Sequence, residues 1–176
     1  YTGHDNNRDA FQTNMIESQY MAKILFTDWI PQAYLDHHHM GSYGARIYVP
    51  PYAEPIRPYA DPLVWREMSW YGAHIAYKEE EAGLSGVINM AQYSGWGHFG
   101  FHWITPFHNI AGMLTESASA KLATPIYIHP EQLRGGTRGL PSYDAQTTFP
   151  NPWTGGWWRL RDIVERQKVS AWALLD

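Results

Sequence analysis

Apolar and polar residues follow both helical and extended spacings along this chain. Pro31 ends a stretch with apolar residues at helical spacing, and Asp61 followed by Pro62 is a typical helix start. Gly83 is a typical C-terminal end for this helix. Shorter apolar runs bounded by glycine or polar residues predict strands. The predicted elements are helices over 12–29, 61–82 and 157–175, and strands over 33–40, 86–90 and 110–116.

This alternation of helices and strands predicts an α/β fold with a largely buried sheet. Residues 47–62 carry five prolines and are expected to be mostly loop, and residues 124–155 are irregular. The sequence shows no internal repeat and no linker, so we expect one domain over residues 1–176. In open α/β sheets ligands bind beyond the carboxyl ends of the strands. Two chemically distinctive segments, 37–39 and the residues around Glu116, fall at such ends.

Composition narrows the function classes. A net charge of −4 argues against nucleic-acid binding, and no apolar run approaches the ~20 residues of a membrane span. The chain has no cysteine, so any zinc would have to be held by histidine and carboxylate. The chain has nine tryptophans and is 15% aromatic. This content has three possible interpretations: a core rich in large side chains, a groove that binds carbohydrate or peptide, or a self-assembly surface.

Three consecutive histidines follow Asp36 at the end of the predicted strand. Neighbouring strand residues point to opposite faces, so Asp36 and His38 share one face and His37 and His39 share the other. The run therefore offers a metal either one ligand or a His37–His39 pair, and hydrogen-bonded, partly exposed imidazoles are the plain alternative.

Two further segments carry candidate chemistry. Glu116 follows a buried-looking strand, where partial desolvation would raise its pKa and suit it to general base work. An Arg next to a side-chain amide, as in Asn7-Arg8, can form bidentate hydrogen bonds with a carboxylate or phosphate. The plain alternatives are a surface glutamate after a strand, and a surface arginine beside Asp9 acting as a helix cap.

Taken in order, these segments resemble the later half of the carboxypeptidase A-type zinc peptidase domain, and bacterial members in particular. That family carries a G-x-D-x-N-R segment, a strand ending in D-x-H or S-x-H, and a strand-end Glu. Bacterial members add D-x-H-x-M-G, a proline-rich loop and a late N-P-W-x-G-G-W-W-R stretch. The corresponding segments here are 3–9, 36–41, 46–51, 115–117 and 151–159.

The resemblance implies part of a mixed-sheet α/β/α domain and a role for each matched residue. His38 would be a zinc ligand, and Asp36 would be a strand-side supporting residue, with no partner assigned to it. Asn7 and Arg8 would grip the C-terminal carboxylate of a peptide substrate. Glu116 would activate a zinc-bound water and pass its proton to the leaving amine.

The sequence departs from the family pattern in two respects. The family's other two zinc ligands form a His-x-x-Glu, and none of the nine histidines here has Glu three residues later. We expect those ligands, a second substrate-binding Arg and the first strands to lie before Tyr1. The chain alone would then be nearly inactive unless the missing part were supplied in trans. Tyr93 is the candidate for the family's substrate-loop Tyr, although its offset from Ser-Gly differs.

Three other histidines, at positions 98, 102 and 108, could line the same pocket or simply be packed or surface residues. A different class of function also remains open. Without the His-x-x-Glu, the chain could be a non-catalytic module that self-associates through its aromatic residues and exposed sheet edge.

Overall fold

The computed structural model describes residues 3–97 and 100–176 and has a mixed α/β fold. The α/β prediction is confirmed: helices pack on a sheet with both parallel and antiparallel strands. The helices are α1 (Ile16–Lys23), α2 (Pro62–Glu81), α3 (Phe101–Ile104) and α4 (Leu160–Leu175). The strands are β1 (Ala33–Met40), β2 (Ile47–Tyr48), β3 (Val87–Ile88), β4 (Ala111–Ala118), β5 (Ile126–Ile128) and β6 (Gly156–Trp158).

The main sheet has the strand order β1-β4-β2-β3. The long strands β1 and β4 run parallel, β2 is antiparallel to β4, and β2 is parallel to β3. Every residue of β4 is buried, which fits its central place in the sheet, whereas β1 lies at the edge and is only partly covered. Strands β5 and β6 form a separate antiparallel pair.

The apolar face of helix α2 packs on the sheet, and the C-terminal part of α2 packs against α4. Asp61 caps it as predicted, accepting a hydrogen bond from the backbone N–H of Leu63 at 2.8 Å. Its buried Val64 and Met68 join the main core with Met113 of β4. Near its C-terminus, buried Glu79 accepts hydrogen bonds from Arg166 and Ser170 of α4. These buried hydrogen bonds join the two helices.

The observed boundaries correct several predicted ones. The helix predicted over 12–29 begins at Ile16 and becomes π-helical over Ile24–Asp28. Asp9, the cap candidate from sequence, does not occupy its N-cap, which is Met15. Strand β2 lies inside the predicted proline loop, and β5 lies inside the predicted irregular region, because short strands gain their stability from pairing partners rather than local sequence.

Helix α3 lies between the predicted strands 86–90 and 110–116, where no element is predicted, and it docks closely on β4. A Cβ at Gly112 would clash with the Thr105 hydroxyl and lie 2.6 Å from the carbonyl oxygen of His102. Only glycine therefore permits this approach of helix and strand. The consequence is that His102 is brought to the sheet beside β1.

Candidate metal and catalytic site

The register of β1 and β4 brings the two best sequence candidates together. His38 lies directly opposite Glu116 in the parallel pair, so both side chains extend from the same face of the sheet. The predicted alternation along β1 is confirmed. Asp36 Oδ1 lies 3.1 Å from Nε2 of His38, whereas His37 turns to the other face, where its Nδ1 lies 2.6 Å from Thr115 Oγ1. His39 is exposed.

Asp36 lies between two imidazoles. Its second oxygen, Oδ2, is 3.1 Å from Nδ1 of His102, a residue that is only 2% exposed. Burial alone would raise the pKa of Asp36, but the hydrogen bonds with His102 and His38 lower it well below its usual range. The carboxylate therefore stays ionised between the two rings.

Asp36, His38 and His102 form a cluster that could bind a metal ion. Each offers one donor atom, and these atoms lie within 4.8 Å of one another. The hydrogen bond to Asp36 raises the pKa of His38, with burial opposing it, while burial lowers the pKa of His102. Two imidazoles and one carboxylate are a donor set that suits first-row divalent metals.

Glu116 lies on the same face as His38 and is 6% exposed. Burial raises its pKa to about 7, against the opposing effects of the His38 charge and a hydrogen bond from the Tyr93 hydroxyl. Its Oε2 atom is buried and has no hydrogen-bond partner in the described structure. A buried carboxylate with a raised pKa and an unpartnered oxygen can accept and release a proton near neutral pH.

The N-terminal segment lies over this cluster. A single 3₁₀ turn, Asn7–Asp9, is anchored by the buried Asp9, which accepts a hydrogen bond from the Met15 N–H at 2.8 Å and lies 2.8 Å from the His4 ring. Asn7 Nδ2 lies 3.5 Å from Nε2 of His38, which is proximity rather than a strong bond. Arg8 is close enough for its charge to act on both imidazoles and on Glu116.

The structure thus gathers the predicted site residues in one place. Tyr93, the least certain of them from sequence, bonds Glu116 and packs its ring on Tyr48 at 5.0 Å between centroids. Of the three pocket histidines, His102 belongs to the cluster, and His108 instead stacks on Phe26 at 3.9 Å. His98 lies outside the described residues.

His102 is the functional candidate that sequence reasoning left undecided. It sits on a four-residue helix without a recognisable pattern, and its partner Asp36 is distant along the chain. The one local signal is Gly112 on the facing strand β4, since a glycine there allows another element to pack closely. The sequence does not show which helix that element is.

The fold and the site together define a mixed α/β protein with a carboxylate–imidazole cluster that could bind a metal ion. Comparisons with family models, with curated proteins and with solved structures find no match for this chain. None of the helices within the described residues is long and apolar enough to cross a bilayer.

Proposed function

We propose that this protein is a zinc carboxypeptidase domain, or part of one, acting on the C-terminal bond of a peptide or a related amide. The observation that carries the proposal is the pairing of His38 with Glu116 across β1 and β4, with Asn7 3.5 Å from the His38 ring. Metal-ligand, general-base and carboxylate-binding candidates from three distant segments meet at one face of the sheet.

The residues present fit a metal of this kind. Neutral imidazole is the commonest zinc ligand, and no thiolate competes, since the chain has no cysteine. Glu116, whose buried Oε2 has no hydrogen-bond partner in the described residues, would be the acceptor for a proton from water polarised by such an ion. His38 would hold the zinc, which when bound supplies Lewis-acid polarisation of a carbonyl and of water. The family's His-x-x-Glu is absent from this sequence, so His38 is the one family-type ligand here.

Glu116 fits the general-base role. Because burial raises its pKa to about 7, it can accept and return a proton near neutral pH with little penalty. Tyr93, which donates to the same carboxylate, can exchange that bond for one to substrate. The proton taken from water would then pass from Glu116 to the leaving amine.

Asn7 and Arg8 fit the recognition of a free C-terminus. A guanidinium matches the two oxygens of a carboxylate, and the Asn7 amide adds a third donor. Their turn is held by Asp9, so both side chains project from a fixed backbone. A C-terminal amide would lose the charge that this pair would recognise.

Peptide binding tests the proposal independently of the zinc ligands that the sequence lacks. We expect the chain to bind short peptides with a free C-terminal carboxylate about tenfold or more tighter than their amidated forms, as measured by NMR titration. Arg8→Gln should abolish this preference. Arg161→Gln, an exposed change on α4, should keep it. Equal binding of free and amidated peptides to the unmodified chain would contradict the proposal.

A non-catalytic assembly module is the second candidate. The observation favouring it is the set of exposed tryptophans, Trp29, Trp70 and Trp172, which are 79%, 74% and 68% accessible. The partly uncovered edge strand β1 adds a second associating surface. This candidate requires contact between copies and no metal at His38, so a zinc-loaded monomer would exclude it.

A further inference from the structure

We propose that this chain binds one zinc ion by itself, with Asp36, His38 and His102 as the three protein ligands. The inference rests on the proposed function in sharing His38 as a ligand, and it departs from the family pattern in the other two. The family resemblance implies a His-x-x-Glu for those two ligands, and this sequence has none. Here they come from β1 and from α3.

The separations between the donor atoms fit such an ion. Ligands bound at about 2.1 Å to a tetrahedral zinc lie about 3.3 Å from one another. Asp36 Oδ1 lies 3.1 Å from Nε2 of His38, and Asp36 Oδ2 lies 3.1 Å from Nδ1 of His102. No two of the three donor atoms are more than 4.8 Å apart, so the longest separation has to shorten by no more than about 1.5 Å on binding.

The two imidazole rings are set at an angle that suits a shared ion. Their centroids are 5.9 Å apart and their planes meet at 78°, so the rings meet edge to face. An imidazole binds a metal through a lone pair in its own ring plane, so two rings stacked face to face could not share one ion. The His102 ring also packs against Trp103 at 4.4 Å, and α3 is seated on β4 at Gly112. The ligands are therefore gathered by the fold before any ion binds.

Exposure rises across the cluster from one side to the other. The side chains of His102, Asp36 and His38 are 2%, 18% and 28% accessible. An ion held by them would be buried on the His102 side and reachable by water on the His38 side. His38 is also the residue that pairs with Glu116 across β1 and β4. Catalytic zinc sites have three protein ligands and leave the fourth position to water or substrate, so this cluster has the composition of such a site.

The charges around the cluster favour a cation. The Asp36 carboxylate belongs to it, and the Glu116 carboxylate is close enough for its charge to act on His38. The guanidinium of Arg8 acts on both imidazoles in the opposite sense. When both carboxylates are ionised, they outweigh this single positive charge, and a divalent ion would neutralise the excess.

A metal-free, purely structural cluster explains the arrangement less well. The Nε2 atom of buried His102 has no hydrogen-bond partner within the described residues. Burying imidazoles and a carboxylate that are incompletely paired is unfavourable compared with apolar side chains of similar size. Metal binding is the property that such apolar side chains could not supply.

Zinc titration of the full 176-residue chain, first stripped of metal with a chelator, tests the inference. Calorimetry with zinc chloride should give one ion per chain. Asp36→Ala, His38→Ala and His102→Phe should each weaken zinc binding by more than about 100-fold, which exceeds the cost of losing a residue that only supports a ligand. A smaller loss in Asp36→Ala or His102→Phe would overturn the inference.

Two other histidines provide matched controls. His39→Ala removes an exposed histidine from the same strand, and His108→Ala removes one that stacks on Phe26 outside the cluster. Both variants should bind zinc as the unmodified chain does. A loss in His39→Ala as large as that in His38→Ala would indicate the His37–His39 pair as the metal site and would overturn the inference.

X-ray absorption spectroscopy of the zinc-loaded unmodified chain keeps the test decisive if a variant fails to fold. The spectrum reports the number of imidazole ligands directly. We expect two imidazoles with oxygen ligands completing the shell, and any other number of imidazoles would overturn the inference. Circular dichroism of each variant shows which titrations are made on folded protein.

These measurements separate the inference from the proposed function, because zinc binding is observed without peptide and without turnover. A chain that binds zinc through this cluster but does not distinguish free from amidated C-termini would contradict the peptidase proposal alone. A chain that shows this preference but binds no zinc at the cluster would contradict the present inference alone.

Discussion

Glu116 shows how one residue's environment sets its chemistry. The side chain is almost fully buried between β1 and β2, and burial raises its pKa from 4.5 to about 7. In this range the folded state binds a proton that the unfolded state has released. The free energy of unfolding therefore falls as pH rises from about 4.5 to 7, and the ionised form of this buried carboxylate is held at the expense of stability.

Replacing Glu116 with Gln should therefore stabilise the protein in a pH-dependent way. Relative to the unmodified chain, we expect Glu116→Gln to gain stability between pH 5 and pH 8 by up to about 3 kcal/mol, since the buried charge is removed. Urea unfolding at the two pH values in metal-free buffer measures the effect. The exposed change Glu17→Gln is the control, and an equal pH dependence for all three proteins would show that Glu116 titrates normally.

At the scale of elements, the site depends on how closely α3 approaches β4. The helix has four residues, too few to be stable alone, so its position is set by the contact at Gly112. That contact carries His102 to Asp36 on β1. The geometry of the cluster thus follows from helix-to-strand packing rather than from the three side chains themselves.

A methyl group at Gly112 should disturb both packing and site. We expect Gly112→Ala to destabilise the fold by about 1–3 kcal/mol, because the Thr105 hydroxyl and the His102 backbone must move. Urea unfolding measures this change. Gly41→Ala is the matched control, since a Cβ there meets nothing within 4 Å, and its effect should stay within about 0.5 kcal/mol. Equal stability of the two variants would contradict the close packing of α3.

At the scale of the whole molecule, much apolar surface is left in contact with solvent. Three tryptophans are more than two-thirds exposed, and β1 forms one edge of the main sheet. Exposed aromatic surface and uncovered strand edges both favour association between molecules.

We therefore expect the chain to self-associate as its concentration rises. Trp70, on the outer face of α2, contributes a large part of the exposed aromatic surface. Trp70→Glu should weaken association in sedimentation velocity by removing that surface and adding a charge. Ala123→Glu adds the same charge at an exposed residue before β5 and should have little effect. A single concentration-independent species for the unmodified chain would contradict this prediction.

The sequence alone determined features that depend on near neighbours along the chain. Asp61 and Pro62 start α2 because a side-chain cap and a fixed φ act within one turn. The period of two in a strand placed Asp36 and His38 on one face and His37 on the other. The α/β class followed from the same local patterns, and the pairing of imidazole with carboxylate on β1 was visible in the printed residues.

Only the tertiary structure decided which distant residues meet. The pairing of His38 with Glu116 depends on strand register, and the bond from His102 to Asp36 depends on a short helix seated at Gly112. Strands β2 and β5 escaped sequence reasoning for the same reason, since their stability comes from partners far along the chain. Local patterns fix which groups are available and which way they face. Long-range packing fixes their separations, and those separations decide whether an imidazole is a surface residue or part of a site.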